Sequence, residues 1–193
     1  MQDKVKERII RVLLTEKQPL SKYRAAKLAH ASFGWTHEFL SQLERLKLVD
    51  KTKVTNPKGL IGYWLSFHKK PKYREYMIQK PLDLLKKTKL DYAITTYYAE
   101  NRVQHFLFPS RLDIYIKKED LEEWHKALMK EGLYGKGNVR LLINGAGPLY
   151  NSQKIQGLKI VSLPQLILDL KAESGPCEEA AEMLIKKLKE NVR

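Results

Sequence analysis

The chain has 193 residues, 43% of them apolar, which fits one large domain or two small ones and excludes wholesale disorder. Lys and Arg number 36 against 22 Asp and Glu, and this net charge of +14 favours a polyanionic partner through Coulomb attraction and counterion release. The single cysteine, Cys177, excludes an intrachain disulfide and a cysteine-built zinc cluster, and it suits a reducing cytosol.

Helical spacing of Val5, Ile9, Val12 and Leu13 predicts a helix over 3–14, with Lys4, Lys6, Arg8 and Arg11 elsewhere on the turn and Pro19 as its stop. Arg11 interrupts the apolar run and no small-residue cleavage site follows, so this start does not read as a signal peptide. Ser21 caps a predicted second helix over 22–30, whose Ala25, Ala26 and Ala29 allow close packing. Ala31 to Gly34 reads as a turn, and a third helix runs from Trp35 to Lys47. A strand is expected over 49–54, a turn at Asn56-Pro57-Lys58-Gly59, and a second strand over 61–67. The basic cluster 68–72 reads as a linker.

Beyond it, helices are predicted over 81–87, 91–101, 119–130, 163–172 and 177–190, with strands over 112–116, 139–143 and 158–161. The expected class is therefore α+β. Residues 1–70 form an N-terminal winged helix-turn-helix and residues 71–193 a small C-terminal α/β layer domain. The longest uncharged stretch, 141–153, is too short and too polar to span a bilayer, and a cytoplasmic protein is expected.

The charge is concentrated in the first part, where residues 1–70 carry 15 Lys and Arg against 6 acids. On a helical wheel the third helix turns Trp35, Phe39, Leu40, Leu43 and Leu46 to one side. Glu38, Ser41 and Arg45 fall opposite, His37 and Gln42 on the flanks, and Thr36 at the N-terminal end. Short polar residues followed by an arginine suit a helix lying in the major groove, so Thr36, His37, Ser41, Gln42 and Arg45 are the candidate base readers. Lys22, Arg24 and Lys27 on the preceding helix, with Lys51, Lys53 and Lys58 on the expected hairpin, are the candidate phosphate contacts. The expected partner is double-stranded DNA. Reading repeats would bring in a homodimer or multiple binding. RNA binding by the same basic surface remains an alternative.

No catalytic or cofactor motif is read in the second part. Asn144 to Pro148 lacks the spacing of a phosphate-binding turn. The strand around Asp113 has the flavour of a nucleotidyltransferase strand, but Tyr115 stands where a second carboxylate would be needed to hold a metal ion, which weighs against the enzyme alternative. The five histidines show no close ligand spacing, and Ser152 and Cys177 have no recognisable His and Asp partners. Tyr97 and Tyr98 read as core aromatics. No enzyme, cofactor or metal is expected.

Two groups of residues carry a resemblance. One is Pro19-Leu20-Ser21-Lys22-Tyr23 with Phe33-Gly34-Trp35-Thr36 and Leu43-Glu44-Arg45-Leu46. The other is Tyr92-Ala93-Ile94-Thr95-Thr96 with Ala99-Glu100, then the run from Ile160 to Leu170, then Glu179 to Leu184. Together they resemble the AbiEi-type antitoxins of type IV toxin–antitoxin systems. The V-S-x-P-Q-x-x-x-D-L block that ends at Leu170 is the more specific signal. The resemblance implies an autorepressor of its own operon and a second domain that neutralises a nucleotidyltransferase-like toxin.

Overall fold

A computed structural model describes residues 2–18 and 20–191, so Pro19 lies outside the described residues. The chain is mixed α+β. Its elements in order are α1 (Gln2–Thr15), α2 (Lys22–Leu28), α3 (Phe33–Arg45), β1 (Val49–Asp50), β2 (Lys53–Val54), α4 (Pro57–Leu65), β3 (Lys72–Ile78), α5 (Pro81–Lys87), β4 (Ala93–Thr95), α6 (Thr96–Gln104), β5 (Leu112–Lys117), α7 (Leu121–Glu131), β6 (Gly132–Tyr134), β7 (Val139–Asn144), β8 (Gln153–Ile155), β9 (Leu158–Ile160), α8 (Leu163–Glu173) and α9 (Pro176–Asn191).

These elements form two compact units. The first comprises residues 1–69, 163–172 and 181–193, and the second residues 70–162 and 173–180. The first division, between residues 69 and 70, falls within the basic cluster 68–72. The C-terminal stretch, expected wholly within the second domain, contributes most of its helical residues to the first unit instead. The cause is the composition of α8, where every residue from Pro164 to Leu170 is buried. A helix apolar nearly all round must be covered on every side. Arg11 explains its attachment. Expected on the polar side of α1, it is 3% exposed. Its guanidinium donates twice to Gln165 Oε1, at 2.7 and 3.2 Å, and lies 4.9 Å from the Trp64 ring. Gln165 Nε2 in turn donates to Asp169 Oδ1 at 2.8 Å.

The strand expected over 61–67 is the helix α4. Asn56 caps it, accepting the Gly59 N–H at 2.9 Å, and Pro57 occupies its first turn. Asn at the cap and Pro behind it open helices as readily as they form turns. Leu60, Ile61 and Trp64 then bury one helical face. The hairpin lies entirely within 49–54, where β1 pairs antiparallel with β2 around Lys51 and Thr52.

The second unit is built on a seven-stranded mixed sheet among the described residues, in the order β6-β3-β7-β5-β4-β9-β8. The pairs β5–β7 and β4–β9 are parallel and the rest antiparallel. Tyr76, Ile78, Trp124 and Leu128 are fully buried core residues of this unit. Strands β3, β4, β6 and β8 were not foreseen. β4 lies inside the helix expected over 91–101, and the change of structure comes at Thr96, the first residue of α6, whose φ of +50° ends the strand.

Candidate nucleic-acid interface

The first unit assembles α2, α3 and the β1–β2 hairpin side by side through short polar links. Ser21 caps α2 by accepting the Arg24 N–H at 3.1 Å, and Ser32 caps α3 by accepting that of Trp35 at 3.4 Å. Arg8 on α1 donates to the carbonyls of Ala29 at 2.7 Å and His30 at 3.1 Å, fastening the end of α2. Ala25, Ala26 and Ala29 are buried, so the helices approach closely.

Phe39, Leu40 and Leu43 hold the inner face of α3 in the core. Its outer face carries Gly34, Glu38, Ser41 and Arg45, which share one side at 100° per residue, with His37 beside them. Gly34, His37, Glu38 and Arg45 are exposed; Ser41 is half-buried, its hydroxyl donating to the His37 carbonyl at 3.1 Å. Gln42 sits on the flank, where it lines an open hollow of about 280 Å³ with Gln2, Lys6, Trp35, Glu38 and Phe39.

Thr36 is a correction. It is 0% exposed and its hydroxyl donates to the Ser32 carbonyl at 2.9 Å, so it cannot reach a base. One helical turn before Leu40 and two before Leu43, it belongs to the buried stripe by spacing, despite its polarity. Leu46 is corrected in the opposite direction. It is the C-cap residue of α3 and is 49% exposed.

The hairpin is strapped down at both ends of its turn. The Lys51 N–H donates to Glu44 Oε1 at 2.7 Å, and the Thr52 hydroxyl donates to the Leu20 carbonyl. Lys51 has a φ of +57°, a left-handed conformation that costs a residue other than glycine about 1 kcal/mol. Lys51 and Lys53 are exposed, as are Arg24 and Lys27, while Lys22 is half-buried. Lys58 is not on the hairpin. It lies in the first turn of α4, with its ammonium 2.8 Å from Glu182 Oε2. Hydrogen bonds from Lys171 and then from Lys58 hold the Glu182 carboxyl well below the usual carboxylate range, at about 2.

Several exposed residues beside this surface escaped the sequence reading. Phe33 and Gly34, taken for a turn, form the first turn of α3, and Lys47 is exposed just beyond its end. Ser32 three residues before Trp35 was the legible signal, since it marks an N-cap.

In the second unit, Glu75, Arg140, Asp113 and Thr95 stand opposite one another on four adjacent strands. Both Asp113 oxygens are engaged by Arg111, at 2.6 and 2.7 Å, and Thr96 also donates to Asp113. Arg111 further pairs with Glu173 at 3.2 Å. Burial works against the Arg111 cation, and Asp113 and Glu173 outweigh it to raise its pKa. Tyr97 is half-buried, and burial, followed by its hydrogen bond with Cys177, pushes its hydroxyl up to about 12. The glycine-rich segment continues into a short 3-10 turn at Gly147–Leu149. Among the described residues, no group of three or more His, Cys, Asp or Glu side chains could hold a metal ion. No helix among them is long and apolar enough to cross a membrane.

No family model matches this chain, and neither a curated protein nor a solved structure does.

Proposed function

We propose that the protein is a sequence-specific double-stranded-DNA-binding transcriptional regulator, in which α2, α3 and the β1–β2 hairpin act as a winged helix-turn-helix. The observation that carries this reading is the arrangement around α3. The outer face carries His37, Ser41 and Arg45, and the elements packed against α3 carry exposed cations, Arg24 and Lys27 on α2 and Lys51 and Lys53 on the hairpin. Cations on the elements beside a helix with an exposed polar face suit a duplex, whose two phosphate backbones border the major groove.

The hairpin is too short to read bases. Two residues per strand reach roughly 7 Å, so Lys51 and Lys53 are assigned to phosphates. The backbone cost accepted at Lys51 is consistent with a position selected for its side chain, since such strain gathers at functional sites. Glu38 faces outward among these groups, where it would repel phosphates and would instead accept a hydrogen bond from a cytosine amino group.

Selection of bound duplexes from a random library tests the proposal. Enrichment of a shared site supports it, and preferential capture of RNA from a mixed pool would favour the RNA-binding alternative. The resemblance to type IV antitoxins extends the proposal to autorepression and to neutralisation of a nucleotidyltransferase-like toxin. That extension is supported by the sequence motifs, and relief of toxicity on co-expression with a toxin gene adjacent to this one tests it.

A further inference from the structure

The first turn of α3 carries an aromatic side chain that the core does not use. Phe33 is the first residue of the helix and 50% exposed, although the polar face of α3 continues directly from it. The His37 ring stands one turn further on, with its centroid 6.2 Å from that of Phe33. Gly34 lies between them in sequence, and a Cβ placed there would meet nothing within 4 Å. The result is a bare strip of helix backbone bordered on one side by an aromatic ledge. In a groove-bound helix, the N-terminal turn is the part that approaches the base edges. The apolar feature in the major groove is the 5-methyl group of thymine, which protrudes from the base edge and is read by apolar side chains.

We propose that Phe33 reads the methyl group of a thymine in the operator, with Gly34 permitting the close approach of the helix and His37 addressing the neighbouring base pair. This inference rests on the DNA-binding reading above. The exposed cations Arg24 and Lys27 on α2, and Lys51 and Lys53 on the hairpin, supply the charge complementarity that makes a duplex the occupant of this aromatic ledge.

The test uses the full chain and the duplex enriched by selection. Each thymine is replaced singly by deoxyuridine, which removes the methyl group and leaves every hydrogen-bonding atom in place. One replacement should weaken binding about fourfold, the worth of one buried methyl group. Phe33→Ala should bind the thymine and deoxyuridine duplexes equally, and Phe33→Leu should retain part of the difference. Phe33 is half-exposed, so an unchanged melting temperature is expected for both variants. Indifference of the unmodified protein to every replacement overturns the inference while leaving the DNA-binding reading intact. So does a deoxyuridine effect that persists undiminished in Phe33→Ala. A library from which no duplex is enriched removes the underlying reading together with this one.

Discussion

Arg11 and Gln165 are 154 positions apart in sequence and meet in the interior of the first unit, where Arg11 Nη2 donates to Gln165 Oε1 at 2.7 Å. Gln165 and Asp169 are the polar residues of the P-Q-x-x-x-D segment. Their place in the structure gives that segment a physical role: it receives a buried guanidinium from α1. Arg11→Ala leaves the Gln165 carbonyl oxygen without this donor in the core, at a cost of about 1–3 kcal/mol. A urea melt should show a lower midpoint with an unchanged slope.

The same relationship governs truncation. A fragment ending at Lys72 loses α8 and α9, and with them Gln165, the buried partner of Arg11. It should melt non-cooperatively by circular dichroism. Restoring residues 163–193 through a flexible linker should bring back a cooperative transition. A fragment of residues 1–72 that melts cooperatively at the temperature of the full chain would contradict the division into units.

Arg45→Ala should weaken binding to the selected duplex by about 1–3 kcal/mol if Arg45 makes a bidentate base contact, with a smaller effect on random DNA. Equal losses on both would make Arg45 a phosphate contact. Thr36→Val is the matching control, because a buried residue hydrogen-bonded to its own helix has no base to read. It should leave the preferred site unchanged in a fluorescence titration.

Lys51→Ala and Lys53→Ala should each flatten the plot of log K against log salt by about 0.9. Lys58→Ala should leave that slope unchanged, because Lys58 lies in the first turn of α4, off the hairpin, with its ammonium engaged by Glu182. A flattening with Lys58→Ala equal to that of Lys51→Ala would return Lys58 to the interface.

Glu182 links stability to acid. Its folded pKa is lowered to about 2 from an ordinary value of 4.5, so its contribution is fully present above 4.5 and is lost as pH falls towards 2. Glu182→Gln should therefore show a shallower loss of melting temperature between pH 4.5 and pH 2 than the unmodified chain. The effect is small, because a carboxylate 41% exposed is screened by solvent.

The sequence was most legible where apolar residues recur at a regular spacing. α5 begins and ends as predicted, and β5, β7 and α8 are found within a residue of their expected ends, because their apolar residues alternate or recur without competition. It was least legible where one local signal serves two structures. Asn56-Pro57 suits a turn and a helix start equally, and the choice depended on Leu60, Ile61 and Trp64 finding a core to fill. The hairpin escaped correct placement because Lys51-Thr52 carries none of the usual turn residues and is held by Glu44 and Leu20 from outside the turn. Within the candidate site, His37 and Arg45 were legible from the wheel, whereas Thr36 was misplaced by weighing its polarity above its spacing.

The most direct test of the central claim is the ratio of the full chain's affinities for its selected duplex and for a scrambled duplex of equal length and composition, measured at physiological salt. Specific regulators prefer their sites by at least about a thousandfold, and a ratio of that order is the result expected here. A ratio near one would contradict the account, since it would leave the positive charge attracting nucleic acid without α3 reading its sequence.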